Sequence, residues 1–212
     1  MTMKKQEKTF TFLEQFIPPN TFEKVAPFFQ KHPIHLTLTH ERKSVLGDYR
    51  SPGKDKPYHQ ISINATLNQY SFLITLLHEL AHLETFEHFK DMVSPHGREW
   101  KTQFRYILIP FLGKRIFPAD VEKALHAYLH NPAASTCTDP GLFKALYKYD
   151  ERKPGYKLVD DIELNKFFAT DDGRVYQKLE HLRTRARCRD TKTGRMYFFQ
   201  GIIEVKAVRG IR

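Results

Sequence analysis

Cysteine is scarce in this sequence, which has only Cys137 and Cys188 among its 212 residues. Two thiols are too few for a disulfide framework or a four-cysteine zinc site, so we expect both to be free and reduced. Long apolar runs are also missing, and without about 18 consecutive apolar residues we expect no transmembrane helix. Residues 1–8 are polar and lack the apolar segment of a secretory signal. We therefore expect a cytoplasmic protein, or a nucleoid-associated one if DNA is its partner.

Acidic residues are too few to balance the basic ones. Lysine and arginine number 34 against 24 aspartates and glutamates, which gives a net charge of +10. A surplus of this kind attracts polyanions over long range, whether nucleic acid, anionic lipid or acidic protein. Composition alone favours nucleic acid only slightly, because a basic protein need not have a polyanionic partner. A length of 212 residues suits one domain or one domain with a small appendage, and a hydrophobic content of 41% is enough for a packed core.

A His-Glu-x-x-His pattern lies inside an apolar run that is predicted to be helical over residues 68–88. Residues four apart on a helix share a face, so His78 and His82 can present two imidazoles to one metal ion. Glu79 lies beside that face and can act as general base on a water at the metal. The alternative is a chance grouping of two ordinary histidines, which the helical context disfavours. The pattern predicts a zinc-peptidase helix that needs a third protein ligand and an open position for water.

Three downstream residues could supply the third ligand. His88 has the metzincin spacing, but Thr85 stands where that pattern needs a glycine, so a continuing helix would carry His88 away. Glu99 would suit a site in which a carboxylate comes from a second helix. His96 lies at a turn marked by proline and glycine, before a helix predicted from Arg98, and can fold back onto the first helix. We favour His96, with Glu99 second and His88 third.

Several short segments of the sequence together resemble one known family. They are Leu77-His78-Glu79-Leu80-Ala81-His82-Leu83, His96-Gly97-Arg98-Glu99-Trp100-Lys101, Leu46-Gly47-Asp48-Tyr49, and Ile61-Ser62-Ile63-Asn64 with Leu67. The resemblance is to the SprT-like family, which includes the Spartan proteases of DNA–protein crosslinks, and it covers residues 10–150. The family commonly carries a C-terminal zinc ribbon built from cysteines. This chain lacks the cysteines for such a ribbon.

The resemblance implies an α+β protein with a zincin-like metalloprotease domain, helices with a small sheet, over residues 1–150. It implies that His78, His82 and His96 hold Zn²⁺ and that Glu79 is the catalytic base of an endopeptidase. The implied partners are protein substrates at or crosslinked to DNA, single- or double-stranded, and no membrane. One alternative is a cytosolic zinc peptidase without nucleic-acid dependence. Another is a non-enzymatic nucleic-acid-binding protein with a structural zinc, which has no use for a base at Glu79.

Two further features of the cleft are predicted from the sequence. The strand at residues 60–64 could pair with an extended substrate, since peptides often add to a sheet edge. Arg98 and Tyr106 are candidates for a further donor to the oxyanion. Hydrophobic periodicity, caps and proline positions predict the other elements of this region. They are helices at residues 9–16, 22–31, 98–108, 119–130 and 140–149, and strands at 34–39, 45–50 and 58–64.

Residues 151–212 are predicted to form a small, basic, antiparallel β region that replaces the family's zinc ribbon. A charged and Pro/Gly-containing stretch at residues 151–155 marks the boundary. Asp171-Asp172-Gly173 and Lys192-Thr193-Gly194 are hairpin-turn signals between β-branched or apolar runs. The predicted strands cover residues 167–170, 174–179, 182–189 and 196–208.

Arginines alternate along one of these predicted strands. They are Arg183, Arg185, Arg187 and Arg189, beside either Lys178 or Arg195 depending on register. Alternate residues of a strand share a face, so this row could bind successive phosphates of a nucleic acid. Stacking surfaces for unpaired bases could come from Tyr176, Tyr197 and Phe198. The alternative is an ordinary charged strand edge with core aromatics.

Overall fold

The structure is a computed structural model that describes residues 10–40, 45–132, 139–151 and 153–208. It confirms the α+β class, with helices and two separate sheets. The chain divides after Asp150 into two compact units. Of the two cysteines, Cys188 is free and buried, whereas Cys137 lies outside the described residues. In the described ranges, no helix is both long and apolar enough to cross a bilayer.

The first unit contains the helices and the smaller sheet. Its described α-helices are α1 Phe22–Lys31, α2 Gln69–Phe89, α3 Arg98–Leu108, α4 Ala119–Leu129 and α5 Pro140–Tyr147. Its strands are β1 Ile34–Thr39, β2 Gly47–Arg50 and β3 His59–Asn64. Short 3₁₀ helices cover Thr11–Gln15, Lys90–Met92 and Ile109–Phe111. The first of these is a single 3₁₀ segment at the site of the helix predicted over residues 9–16.

Strand β3 lies in the middle of the first sheet. It pairs in parallel with β1 and antiparallel with β2, in the order β1-β3-β2. Its alternate residues His59, Ile61 and Ile63 are buried, and a strand that fills the core takes the central place. The prediction that residues 60–64 pair with substrate is therefore wrong, because both edges of that strand are taken. Among the described strands of this sheet, β1 and β2 each have a neighbour on one side only.

Helix α2 is the central element of the core. All of residues 71–81 are buried, as expected for a helix that is apolar on nearly every side. Its start is fixed by Asn68, whose side-chain oxygen accepts hydrogen bonds from the backbone N–H groups of Tyr70 and Ser71. The Asn68 amide also donates to the carbonyl of Leu146 in α5. One side chain thus caps α2 and ties it to another helix.

The second unit is a six-stranded antiparallel sheet in the order β4-β9-β5-β6-β7-β8. Its strands are β4 Tyr156–Leu158, β5 Phe167–Ala169, β6 Val175–His181, β7 Arg185–Asp190, β8 Met196–Gln200 and β9 Glu204–Val208. The prediction of one strand over residues 196–208 is wrong, because a turn at Gly201 separates β8 from β9. A Cβ atom at Gly201 would meet the Asp160 carboxylate, so glycine leaves room for that side chain in the turn. The second unit has its own small core around Phe168, Tyr176 and Val205.

Candidate metal centre

Three imidazoles converge at one point of the first unit. His78 and His82 lie one turn apart on α2, and His96 comes from the loop between α2 and α3. The Nε2 atom of His96 is 3.1 Å from that of His78 and 2.9 Å from that of His82. The Nε2 atoms of His78 and His82 are 3.3 Å apart. These three nitrogens all face a common centre.

Hydrogen bonds among these three ring nitrogens cannot account for all three short distances. A ring nitrogen either carries a hydrogen and donates, or carries a lone pair and accepts, so a triangle of three can form at most two hydrogen bonds. A divalent cation would satisfy all three lone pairs at once. Tetrahedral zinc with Zn–N bonds of about 2.0–2.1 Å separates its ligand nitrogens by about 3.3 Å. The donor set and its spacing therefore fit a zinc ion.

Electrostatics keeps the three imidazoles neutral. Burial first, then the neighbouring rings, holds the pKa of His78 well below its usual range. Burial and His96 lower the pKa of His82 to about 3. Burial and Lys101 lower the pKa of His96. Neutral imidazole is the form that binds metals, so no proton has to leave these rings at pH 7 for a cation to bind.

Trp100 forms the apolar floor of the centre. Its ring centroid is 4.5 Å from that of His78, 5.3 Å from His82 and 4.7 Å from His96. The ring is fully buried and stacks on Phe104 at 5.1 Å. Among the described residues, its indole N–H has no hydrogen-bond partner. The indole packs against all three imidazoles and restricts how they can rotate.

The other two ligand candidates lie elsewhere. His88 is one and a half turns beyond His82, where its ring Nδ1 is 2.7 Å from the backbone carbonyl oxygen of Glu84. It lines a separate groove of about 540 Å³, together with Tyr106. Glu99 lies in the first turn of α3 and is not part of the described lining of the cleft. The structure thus brings together the favoured trio and leaves out His88 and Glu99.

Glu79 lies next to the trio and is 5% exposed. Gly47 of β2 makes room for it: a Cβ atom at Gly47 would be 2.5 Å from Glu79 Oε1 and 2.6 Å from the Thr75 methyl group. Burial and, secondly, the negative charge of Asp48 raise the pKa of Glu79 to about 8. A carboxyl group with such a pKa can both release and take up a proton near neutral pH.

The trio and Glu79 open onto a cleft of about 880 Å³. The cleft is lined by β2 and by the loop that follows α2. The free edge of β2 therefore borders the cleft. In the described lining neither Arg98 nor Tyr106 is present, and Tyr106 is 76% exposed on another face. The prediction of these two as oxyanion donors is not supported by their positions.

Tyr49 is a residue of the cleft that sequence reasoning did not assign. Its ring lies parallel to that of His82, with an interplanar angle of 8° and a centroid distance of 6.1 Å. Its hydroxyl is 2.9 Å from Nδ1 of His59. The only sequence signal was its place in the Leu46-Gly47-Asp48-Tyr49 segment, which indicated a strand and not a neighbour of the metal ligands.

The arginine row of the second unit is shorter than predicted. Arg185, Arg187 and Arg189 alternate on the exposed face of β7, opposite buried Ala186, Cys188 and Asp190. Arg183 is exposed in a bend before the strand and does not continue the row. The shortening has a local cause, since the backbone N–H of Leu182 bonds the carbonyl of Arg185 and turns the chain before β7 begins.

Neither basic residue predicted to extend the row does so. Lys178 is 2% exposed, and its ammonium group donates to the carbonyls of Val159, Asp160 and Ile162. The register places it opposite Cys188, which is on the buried face. Arg195 lies between the turn and β8, where its carbonyl accepts from the backbone N–H of Asp190.

The three aromatics predicted as stacking surfaces differ in exposure. Tyr176 is 1% exposed and belongs to the core, so its predicted role in stacking is wrong. Tyr197 is half-buried against that core. Phe198 is 57% exposed and lies directly opposite Arg187 on the same face. Of these three aromatics, Phe198 is the one exposed to solvent beside the arginines.

The comparison with protein families gives a match inside the first unit. Residues 20–114 match the model described as the SprT-like family. This confirms the resemblance over the segment that runs from α1 to the end of α3 and contains His78, Glu79, His82 and His96. No curated protein and no solved structure matched the chain.

Proposed function

We propose that this chain, which is SprT-like over residues 20–114, is a zinc-dependent endopeptidase with a zincin-like catalytic domain. The observation that carries the proposal is the convergence of the three Nε2 atoms of His78, His82 and His96 within 3.3 Å, beside the buried carboxyl group of Glu79. Two ligands and a base on one helix, with a third ligand from the following loop, form the donor set of a catalytic zinc site.

The chemistry divides between the cation and Glu79. A divalent cation held by the three imidazoles would act as Lewis acid on a water and on the substrate carbonyl. Glu79 does the proton transfer: its carboxylate takes a proton from the attacking water and delivers it to the leaving amine. The surroundings of Glu79 suit both steps, because its raised pKa makes the protonated form accessible and its burial excludes competing solvent.

Substrate binding is assigned to the free edge of β2. An extended peptide can add to such an edge by backbone hydrogen bonds, with alternate side chains directed into the cleft. Gly47 and Asp48 on this strand neighbour Glu79, so a peptide paired there runs past the base. A segment must be extended to bind in this way. The geometry therefore favours unfolded or flexible protein over compact folds.

The second unit supports a substrate located at DNA. Residues 151–212 contain 15 lysines and arginines against nine acidic residues, which is +6 of the total +10. Arg185, Arg187 and Arg189 can bind phosphates, and the exposed ring of Phe198 can stack on an unpaired base. On this basis we assign the protein to the cytoplasm or nucleoid, with proteins at or crosslinked to DNA as substrates.

One observation favours a peptidase without nucleic-acid dependence. Arg187 already forms an ion pair with Glu180 at 3.0 Å, and Arg189 donates to the Gln177 side chain at 2.9 Å. These partners hold two of the three guanidinium groups along the sheet, as on an ordinary solvent-facing strand. In that case the basic charge would be incidental to the hydrolysis.

The deciding experiment is hydrolysis of an unfolded protein by the zinc-loaded chain, alone and with single- or double-stranded DNA. We expect cleavage by the wild type and none by Glu79→Gln, with equal zinc content in both because Glu79 is not a ligand. If Glu79→Gln cleaves at the wild-type rate, the assignment of the base is wrong. Stimulation by DNA supports the substrate at DNA, whereas equal rates with and without it support the alternative.

Substitutions on the exposed face of β7 and β8 test whether this face binds nucleic acid. Arg185→Gln and Phe198→Ala should each weaken binding of a fluorescent single-stranded oligonucleotide, and Phe198→Ala should lose about 1–3 kcal/mol of stacking. Lys192→Gln removes a positive charge from the exposed turn before β8 and is the matched control. If Lys192→Gln weakens binding as much as Arg185→Gln while Phe198→Ala has no effect, charge alone and not this face is responsible.

A further inference from the structure

Two residues on the inner face of β2 lie next to site residues of α2. Alternate residues of a strand share a face, and here Gly47 and Tyr49 face the helix. Gly47 lies against Glu79, and the Tyr49 ring is parallel to that of His82, with the two centroids 6.1 Å apart. One strand therefore lies beside both the proposed base and a proposed ligand.

Tyr49 is held in this place by a buried histidine. Its hydroxyl is 2.9 Å from Nδ1 of His59, which is 2% exposed on β3. The other ring nitrogen of His59, Nε2, is 3.5 Å from Oε1 of Glu87 on α2. Burial lowers the pKa of His59 more than Glu87 raises it, so the ring is neutral with one proton. That proton belongs on Nε2, facing the carboxylate, and Nδ1 then accepts the Tyr49 hydroxyl hydrogen.

A second metal site is the competing interpretation, since His32, His59 and Glu87 bring ligand atoms within 4.8 Å of one another. Each of these atoms already has a partner. His32 Nε2 is 2.9 Å from Glu84 Oε1, and Lys90 donates to Glu87 at 3.1 Å. Hydrogen bonds and ion pairs thus account for the cluster of His32, His59 and Glu87, whereas they cannot satisfy the three imidazoles of the cleft.

We propose that Tyr49, His59 and Glu87 are positioning residues for the metal centre. Glu87 fixes the tautomer of His59, His59 fixes the Tyr49 hydroxyl, and the Tyr49 ring fixes the plane of the His82 imidazole. This inference rests on the proposed function, because it assumes that His82 binds the cation. Groups that orient metal ligands typically change metal affinity by about 10–100-fold when they are removed.

The test is the rate of zinc release to a chromogenic chelator in excess, measured on the full chain. Tyr49→Phe removes the hydroxyl but keeps the ring, and we expect release to be about 10-fold faster. His59→Leu should have the same effect. His59→Asn should restore release to near the wild-type rate, because its side-chain oxygen can accept from Tyr49 where Nδ1 did. Tyr58→Phe is the matched control, since the Tyr58 ring packs on His35 instead, at 5.6 Å.

Folding is checked by the thermal midpoint of each metal-free variant. Faster release at an unchanged midpoint, with rescue by His59→Asn, supports the positioning role. Wild-type release rates in both Tyr49→Phe and His59→Leu would overturn it, as would equal acceleration by Tyr58→Phe. The readout needs no hydrolysis, so a chain that holds zinc as described but cleaves nothing contradicts the proposed function and leaves the positioning role standing. A wild-type chain that takes up no zinc overturns both.

Discussion

His96 has a backbone conformation that few non-glycine residues adopt. Its φ angle is +58°, in the left-handed region, and the turn is closed by a hydrogen bond from the Gly97 N–H to the Ser94 carbonyl. Such a conformation costs on the order of 1–3 kcal/mol and persists where the surroundings enforce it. Here it returns the His96 ring to α2. We interpret this strain as the consequence of supplying a ligand from a short loop.

The first prediction separates the candidate third ligands by metal content. His96→Ala should bind less than a tenth of the wild-type zinc after dialysis against a weak chelator, because two imidazoles cannot complete the site. His88→Ala should bind the full wild-type amount, since its ring contacts the Glu84 carbonyl and not the trio. Metal analysis of the purified variants provides the measurement. Loss of zinc in His88→Ala with retention in His96→Ala would reverse the assignment.

A second prediction concerns Gly47. Because an added Cβ would lie 2.5 Å from the Glu79 carboxylate, Gly47→Ala should displace the base while leaving the three imidazoles in place. We expect kcat to fall at least about 10-fold, the scale of a misplaced general base, with unchanged zinc content. Gly53→Ala is the control, since its Cβ would meet nothing within 4 Å. Equal activity of the two variants would show that Glu79 tolerates the shift.

At the residue scale, sequence spacing predicts only neighbours on the same element. The i, i+4 relation places His78 and His82 on one face, and a turn at Pro95 allows His96 to return to them. Gly47 and Tyr49 reach the site across strand–helix packing, for which their own sequence carries no periodic signal. Arg98 was a candidate donor to the oxyanion, but it lies at the start of α3 and is not in the described lining of the cleft.

At the scale of secondary-structure elements, a buried carboxylate links helix α2 to the end of helix α1. Glu84 of α2 accepts from the Lys31 ammonium group at 3.0 Å and lies 2.9 Å from the His32 ring. Burial raises the pKa of Glu84, but the hydrogen bonds from Lys31 and His32 together lower it by more. The pKa of this carboxyl group is therefore below its usual value. A lowered carboxyl pKa stabilises the fold above the unfolded-state pKa, and this stability is lost as the pH falls through the folded-state value.

The third prediction follows from the lowered pKa of Glu84. Glu84→Gln should lower the free energy of unfolding at pH 7 by about 1–3 kcal/mol, because the two donors lose a charged acceptor. The difference from wild type should narrow as the pH falls below about 4.5, where the wild-type carboxylate gains a proton. Urea unfolding at pH 7 and pH 3 measures both. Glu14→Gln, at an exposed glutamate, should change stability by less than about 0.5 kcal/mol at either pH.

Elements with strong end signals were predicted to the residue. Helix α1 begins after Thr21 and ends before Pro33, and α3 begins at Arg98 after a glycine, as the sequence indicated. The strand β4, three residues long, has no period to detect. Period-two alternation also cannot tell a central strand from an edge strand. The prediction therefore placed the substrate on β3, although the free edge that borders the cleft belongs to β2.

On the scale of the whole molecule, the two units have separate cores. That of the first is built on α2, and that of the second on Phe168, Tyr176 and their neighbours. The division after Asp150 lies where the sequence changes from helix-like to strand-like patterns. The function of the second unit was harder to predict from sequence than the metal centre of the first. A row of arginines is compatible with many functions, whereas the spacing of metal ligands indicates one kind of chemistry. Its role in place of a zinc ribbon stays a prediction.

The fourth prediction separates the units. Residues 1–150 expressed alone should keep one zinc per chain and cleave an unfolded protein, because all the proposed catalytic groups lie there. The full chain, but not this fragment, should bind single-stranded oligonucleotide, as measured by fluorescence anisotropy. Residues 151–212 alone should bind it too, although a unit of 62 residues with a small core is expected to be only marginally stable. Equal binding by the fragment 1–150 and the full chain would place the nucleic-acid contact in the first unit.

Trp100 gives the centre an intrinsic optical signal. It is the sole tryptophan of the 212 residues, and its ring packs within 5.3 Å, centroid to centroid, of all three imidazoles. Excitation at the red edge of protein absorbance therefore reports on this one location without any added dye. A paramagnetic ion such as Co²⁺ would quench the indole emission on arrival, and displacement by a closed-shell ion would restore it. Occupancy could then be followed in real time on the unmodified chain.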